Sequence, residues 1–282
     1  MSERLVVAQP ARLLDCLAAG LAGWSKNTLR QRLALGCVRV NGAVVKRGDH
    51  ALAPGDEVTV AARDAAERPV ESARFGTLFV DEELVAIDKP EGLLSVASER
   101  EHAQTALALV RAALTRPGKR VELWPVHRLA RETSGVLLLA RTRAACDAVQ
   151  AAWGDVQKTY LALVIGAPQP AEGVIELPLA ERRDLDVRVE HGPEGKPART
   201  RYRTREVRGG SSLLEVELDT GRRHQIRVHL AALGHPVVGD ERYGTRAARL
   251  GLHAWRLALT HPRTGARLEL EAPPPRSFRA LT

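Results

Sequence analysis

The side chains that could do chemistry are concentrated in Val126-His127-Arg128-Leu129-Ala130-Arg131-Glu132-Thr133-Ser134-Gly135, where a histidine, arginines, a glutamate and hydroxyls crowd into one short stretch. It runs straight into Val136-Leu137-Leu138-Leu139-Ala140, an apolar run of the length of a short buried strand. Polar groups delivered against a core strand are held by a rigid scaffold, which suits acid–base work or the binding of an anion. An ordinary loop entering a strand has a similar composition, so these residues alone leave both readings open. Lys89 follows a second apolar run, Leu84-Val85-Ala86-Ile87, and stands at a strand end before the turn Pro90-Glu91-Gly92, another position where functional residues collect. His224 and His229 have no carboxylate or cysteine at suitable spacing, so no metal site is expected there.

The surrounding pattern predicts the elements that must position these groups. Leu13, Leu14, Leu17, Ala18 and Leu21 recur at helical spacing, and Ser25 is a candidate N-cap for a second helix carrying Leu29, Leu33 and Leu35 up to Gly36. Asn41-Gly42 between Val38-Arg39-Val40 and Val44-Val45 is a tight-hairpin signal, because both central residues must take positive φ. Pro54-Gly55-Asp56 is a further turn leading to Val58-Thr59-Val60. Residues 61–74 read as a linker. Beyond it, strands are expected at Leu78–Val80 and Leu84–Ile87, a helix over 103–114, a helix capped by Thr142 and running through Trp153, and a strand over Lys158–Val164. Residues 181–200 read as an exposed excursion, followed by a hairpin of Arg201–Val207 and Leu213–Leu218 over Gly209-Gly210. A Gly turn then enters a short basic helix, and strands around Leu252–Leu259 and Ala266–Leu270 end the series. Many short strands with few helices predict an α+β fold built on a mixed, largely antiparallel sheet.

Composition narrows the function classes. A chain of 282 residues, 44% hydrophobic, has room for a large and a small domain, each with its own core. A net charge of +8 and a pI near 9.9 point to an anionic partner, for which nucleic acid is the leading candidate. Cys16, Cys37 and Cys146 are scattered and form no C-x-x-C pair, so they are expected to be reduced. No apolar run approaches the roughly 20 residues of a membrane span and no signal-type start is present, so a cytoplasmic protein with no membrane contact is expected. Monomer is the default oligomeric state.

Two resemblances carry the reading further. Helices followed by a small hairpin sheet, with the segments VRVNG and PGDEVTV, resemble the ribosomal protein S-four type of RNA-binding domain over roughly residues 10–62. The resemblance implies an RNA-binding domain over 1–62, with Lys26, Arg30 and Arg39 on RNA, a linker over 63–76 and a larger domain over 77–282. In that larger domain, DKPEGLLSV, VHRLARETSGVLLLA, KTYLALVIG, KPARTRYR, LDTGRRHQIRVHLAALGHPVVGDERYG and LHAWRLALTHP occur in the order and spacing of the RluA-type pseudouridine synthases. A lone TSG would be weak, whereas six segments in register are specific. The resemblance implies isomerisation of uridine to pseudouridine in structured RNA, ribosomal RNA in the first place, without metal or organic cofactor. The target nucleotide has to leave the base stack to be reached.

The resemblance also assigns roles. Tyr160 matches the tyrosine that stacks on the target base, Arg227 the arginine that pairs with the catalytic carboxylate, and Leu252 the apolar residue lining the pocket. His127, Arg128 and Thr133 are expected to hold the loop or touch RNA, and Lys89 and Arg222 to meet phosphates. One position departs from the pattern. The aspartate that follows HRL in this family is Ala130 here, and a methyl group can neither attack C1′ nor take a proton from the sugar. Glu132, two positions on, is expected to point elsewhere and not to substitute for it. The chain is therefore expected to be an RNA-modifying isomerase by family that is inactive with alanine in place, or a natural pseudoenzyme that binds RNA or assists ribosome assembly. Arg227, deprived of its partner, is expected to gather an anion or water, because an uncompensated buried guanidinium costs about 3–5 kcal/mol.

Overall fold

The computed structural model describes residues 3–21, 26, 29, 30, 33, 38–45, 47–60, 75–97, 105–115, 121–182 and 186–276. Ser25, Leu35, Gly36, Cys37 and the linker stretch 61–74 lie outside the described residues. Contacts divide the chain into one unit of Met1–Pro69 with Phe79–Glu82 and another of Val70–Leu78 with Glu83–Thr282.

The first unit contains β1 (Glu3–Val6), β2 (Ala11–Arg12), α1 (Leu13–Gly20), β3 (Val38–Val40), β4 (Ala43–Val44), β5 (Ala51–Leu52) and β6 (Glu57–Val60). Its sheet runs β1-β6-β3-β4, and the β3–β4 hairpin turns on Asn41 and Gly42 at φ 49° and 83°. Leu13 and Leu17 of α1 share a core with Leu29, Leu33, Val38, Val58 and Val60. Strand β1 was not foreseen, because its partner β6 lies some fifty residues on and nothing local marks the pairing.

The second unit is built on a ten-stranded sheet. The sheet comprises β7 (Gly76–Val80), whose last two residues are counted with the first unit, β8 (Leu84–Lys89), β9 (Trp124–Pro125), β10 (Ser134–Ala140), β11 (Gln157–Ile165), β12 (Glu172–Ile175), β15 (Thr200–Arg208), β16 (Ser211–Leu218), β17 (Leu252–Thr260) and β18 (Arg267–Glu271). The main path is β12-β15-β16-β11-β17-β10-β8-β7, with β18 on β17 and β9 on β10. Helices α2 (Ala106–Leu114), α3 (Arg143–Ala151) and α4 (Gln225–Ala232) accompany it, and β13 (Leu179–Glu181) pairs with β14 (Val187–Val189). The fold is thus the α+β arrangement with a mixed, antiparallel-dominated sheet. Every residue of β10 is buried, and its fully enclosed Leu137, Leu138 and Leu139 each contribute about 2 kcal/mol of burial. Thr142 caps α3 by accepting from the Ala145 N–H at 3.1 Å.

One expectation is overturned here. The described residues of the 181–200 region are no wholly exposed excursion, since Val187 and Ala198 join Leu179 and Val228 of α4 in a small core. Its mixed charges disguised the strands because Arg182 and Glu190 pair with each other, 3.0 Å apart, across the β13–β14 hairpin.

Candidate active site

Strand register fixes the start of β10, four residues after position 130. β10 pairs antiparallel with β8, setting Gly135 opposite Lys89, and parallel with β17, setting Ser134 and Gly135 beside His253 and Ala254. Ala254 in turn lies opposite Tyr160 on β11, next to a bulge between Thr159 and Tyr160. The parallel pair is the unusual element of a largely antiparallel sheet. It brings the starts of β10 and β17 to one end, together with the turn that follows β8. Gly135 has φ 112°, and a Cβ there would lie inside contact distance of the Ala254 backbone. Only glycine allows the two strands this approach.

A buried polar chain fixes the same end. Arg249 Nη2 donates to Ser134 Oγ at 2.9 Å, and Ser134 Oγ lies 2.8 Å from His253 Nδ1. His253 Nε2 is 2.8 Å from the Ala272 carbonyl, so the proton sits on Nε2 and Nδ1 accepts from the serine. Burial lowers the His253 pKa and keeps the ring neutral. Arg249 and His253 received no role from the sequence, although both stand in or beside the LHAWRLALTHP segment.

Lys89 is turned into the protein and not toward solvent, where a phosphate would be met. It is fully buried, and Nζ donates to the carbonyls of Pro90 and Leu93 at 2.8 Å each and of Arg131 at 3.2 Å. Three donors and three acceptors leave it nothing to offer a ligand. Burial pulls its pKa down to about 8 against the charges of Glu132, Glu91 and Asp88. Its role is to hold the loop. His127 is likewise structural: its Nε2 accepts the Leu138 N–H at 3.0 Å, and its ring stacks on Trp153 with centroids 5.0 Å apart. Burial, reinforced by Lys158, brings its pKa to about 4. Thr133 is buried, its N–H closing a turn on the Ala130 carbonyl at 3.2 Å, while Arg128 is exposed. Glu132 is exposed at the tip of that turn, where its charge is felt by both Lys89 and Arg227.

The second wall is α4 with the loop 239–243. Ile226 and Leu230 pack on Ala162, Val164 and Leu252, and Tyr160 is partly buried against the same cluster. Burial pushes the Tyr160 pKa up to about 12, so its phenol stays protonated at neutral pH. Arg222 is exposed, with Nε donating to the Pro197 carbonyl at 3.2 Å. Arg227 overturns the expectation of an uncompensated charge. Its Nε and Nη2 donate to both carboxylate oxygens of Asp240 at 2.7 and 2.6 Å. Asp240 is wholly buried and also accepts the N–H groups of Arg242 and Tyr243 at 3.0 Å. Burial opposes the charged carboxylate, but the bonds to Arg227 and these N–H groups outweigh it and hold its pKa below the ordinary range. The sequence held a signal in Gly239-Asp240, a turn aspartate beside a conformationally free glycine, but nothing local indicated its partner. Tyr243 lies under the Arg227 guanidinium at 5.2 Å, and its hydroxyl is 2.9 Å from His224 Nδ1. His229 hydrogen-bonds Thr200 Oγ1 and the Leu177 carbonyl through its two ring nitrogens.

In the first unit, Lys26 and Arg30 are exposed at helical positions, and Arg39 is exposed with Nη1 donating to the Gly42 carbonyl at 3.0 Å. Among the described residues no group of three or more His, Cys, Asp or Glu could hold a metal ion, and no helix is long and apolar enough to cross a membrane.

A family model described as RNA pseudouridylate synthase matches residues 83–232. Ribosomal large subunit pseudouridine synthase D of Nitrosomonas europaea is 35% identical over 287 residues, covering 96% of this chain and 83% of that protein. Ribosomal large subunit pseudouridine synthase C of Vibrio cholerae is 34% identical, covering 93% of this chain and 89% of that protein. Among solved structures, human RNA Pseudouridylate Synthase Domain Containing 4 superposes with a TM-score of 0.61 at 28% identity, covering 72% of this chain and 90% of that one.

Proposed function

The chain belongs to the RNA pseudouridylate synthase family, and from that premise we propose that it binds structured RNA, ribosomal RNA in the first place, and does not isomerise uridine while residue 130 is alanine. The observation that carries this reading is an alanine at position 130 in an otherwise matching family pattern. Tyr160, Leu252 and Arg227 match the family pattern and support this reading, while the side chain at 130 has no atom that can attack C1′ or accept a proton. Arg222 and Arg128 supply exposed cations on this unit, and Lys26, Arg30 and Arg39 do so on the first unit, which we read as an S-four-like RNA-binding domain. Glu132 is no replacement under this reading, because its carboxylate stands at the exposed turn tip, two residues from the family position.

The reading is tested by incubating the chain and its Ala130→Asp variant with ribosomal RNA and quantifying pseudouridine. The expected result is none above background for the chain and a clear gain for Ala130→Asp. Formation at comparable rates by both would overturn it. Binding is expected to weaken at least about tenfold between 50 and 200 mM salt through counterion release.

The bond between Arg227 and Asp240 favours a second reading, in which the loss is natural and the protein acts as an RNA-binding or ribosome-assembly factor. An arginine already neutralised by Asp240 leaves no stranded charge when residue 130 lacks a carboxylate. An Ala130→Asp variant that stays inert while RNA binding persists would support this reading over the first.

A further inference from the structure

Position 130 is flanked by two anchored neighbours. On its C-terminal side, the Arg131 carbonyl accepts from the Gly92 N–H at 2.8 Å as well as from Lys89 Nζ. On its N-terminal side, a single hydroxyl holds both main-chain groups of Leu129. Ser95 Oγ donates to the Leu129 carbonyl at 2.8 Å and accepts the Leu129 N–H at 3.0 Å. Ser95 is 2% exposed, so water is in no position to compete for these bonds. Its own carbonyl accepts the Leu107 N–H at 3.1 Å, and the preceding Leu94 carbonyl accepts the Ala106 N–H at 2.7 Å. These donors belong to the first turn of α2, which Thr105 caps by accepting from Ala108 N at 3.2 Å. A continuous mechanical path therefore runs from the start of α2 through Ser95 to Leu129 and so to residue 130.

We infer that Ser95 is a positioning residue for position 130, acting through Leu129 to fix where a side chain at 130 points. A group that must reach C1′ has to be held within a fraction of an ångström, and a misplacement of about 1 Å costs on the order of a hundredfold in rate. Ser95 uses its one donor and one acceptor on the residue immediately before that group. No other side chain hydrogen bond to the main chain of Leu129 is found among the described residues.

The inference rests on the family reading only where turnover is the readout, so the experiment has two arms. In the chain with Ala130 retained, amide exchange is followed for Leu129, which Ser95 bonds directly, and for Thr133, whose N–H closes the turn on the Ala130 carbonyl. Ser95→Ala is expected to speed exchange about tenfold or more at both amides, and Ser95→Thr, which keeps the hydroxyl, to restore them. Faster exchange at Leu129 alone, with Thr133 unchanged, would overturn the inference, since the loss would then stop at the broken bond. In the Ala130→Asp background, adding Ser95→Ala is expected to lower kcat about tenfold to a hundredfold with KM within about twofold, and Ser95→Thr to recover most of it. An equal kcat would also overturn the inference. If Ala130→Asp itself is inert, the restored turnover that the first reading expects fails, and the exchange arm still decides the role of Ser95.

Discussion

The two walls of the site are held by different physics. The wall that carries residue 130 is fixed through main-chain groups: a serine hydroxyl on Leu129, a lysine on three carbonyls, and a glycine that lets β10 touch β17. The wall that carries Arg227 is fixed by charge, a bidentate ion pair sealed from water. The first is indifferent to the side chain at position 130, which is why an alanine there leaves the architecture standing. The second is complete within itself, because Asp240 supplies the counter-charge that the family pattern leads one to seek at residue 130. Neither wall thus draws its support from the side chain of residue 130.

Substitutions that strike one wall at a time separate these mechanisms. The largest effect is expected from Gly135→Ala, which meets both a positive φ and the Ala254 backbone. A loss of more than about 4 kcal/mol is expected, or a Tm lower by on the order of 10 °C. A fully native Tm would show that β10 and β17 can separate at no cost and that the first wall is not built by their contact. Asp240→Asn keeps the shape of the second wall but strands Arg227, with an expected loss of about 3 kcal/mol in denaturant unfolding. Combining it with Ala130→Asp sharpens the comparison. Partial recovery of stability would show that a carboxylate at 130 reaches Arg227, and strict additivity would show that it does not.

The smallest expected effect is electrostatic. His127 and His224, one in each wall, both have folded pKa values of about 4, well below the ordinary 6.5. The unfolded chain then binds more protons between those values, so this stability is complete above about pH 6.5 and declines as pH falls toward 4. The causes differ. Burial leads for both, but for His224 the charges of Arg227, Arg223 and Arg242 add to it, whereas His127 has only Lys158. Raising the salt from 0.1 to 1 M is expected to lift the His224 pKa more than that of His127 in an NMR titration. Equal shifts would mean that the second wall is not the more charge-dependent one.

Much of the fold was legible where the signal is local. Asn41-Gly42 and Gly209-Gly210 marked hairpins because positive φ is needed at both positions, and Val136–Ala140 marked a core strand by being apolar throughout. Strands β1, β12, β13 and β14 were missed because their partners are distant or their exposed faces carry paired charges. Lys89 shows the limit for side chains. Its place at a strand end was readable, but its direction was not, and direction separates a phosphate ligand from a buried strut.

What the sequence determined by itself was the family pattern, the basic character and the alanine at position 130, since each is a matter of residue type and order. Tertiary structure alone decided that Asp240 neutralises Arg227 and that Arg249, Ser134 and His253 form one chain. It alone also decided that Ser95 grips Leu129. These contacts join residues up to more than a hundred positions apart. The chain through Ser134 and His253 depends on the parallel approach of β10 and β17, and long-range pairing of that kind leaves no periodicity in the sequence to read.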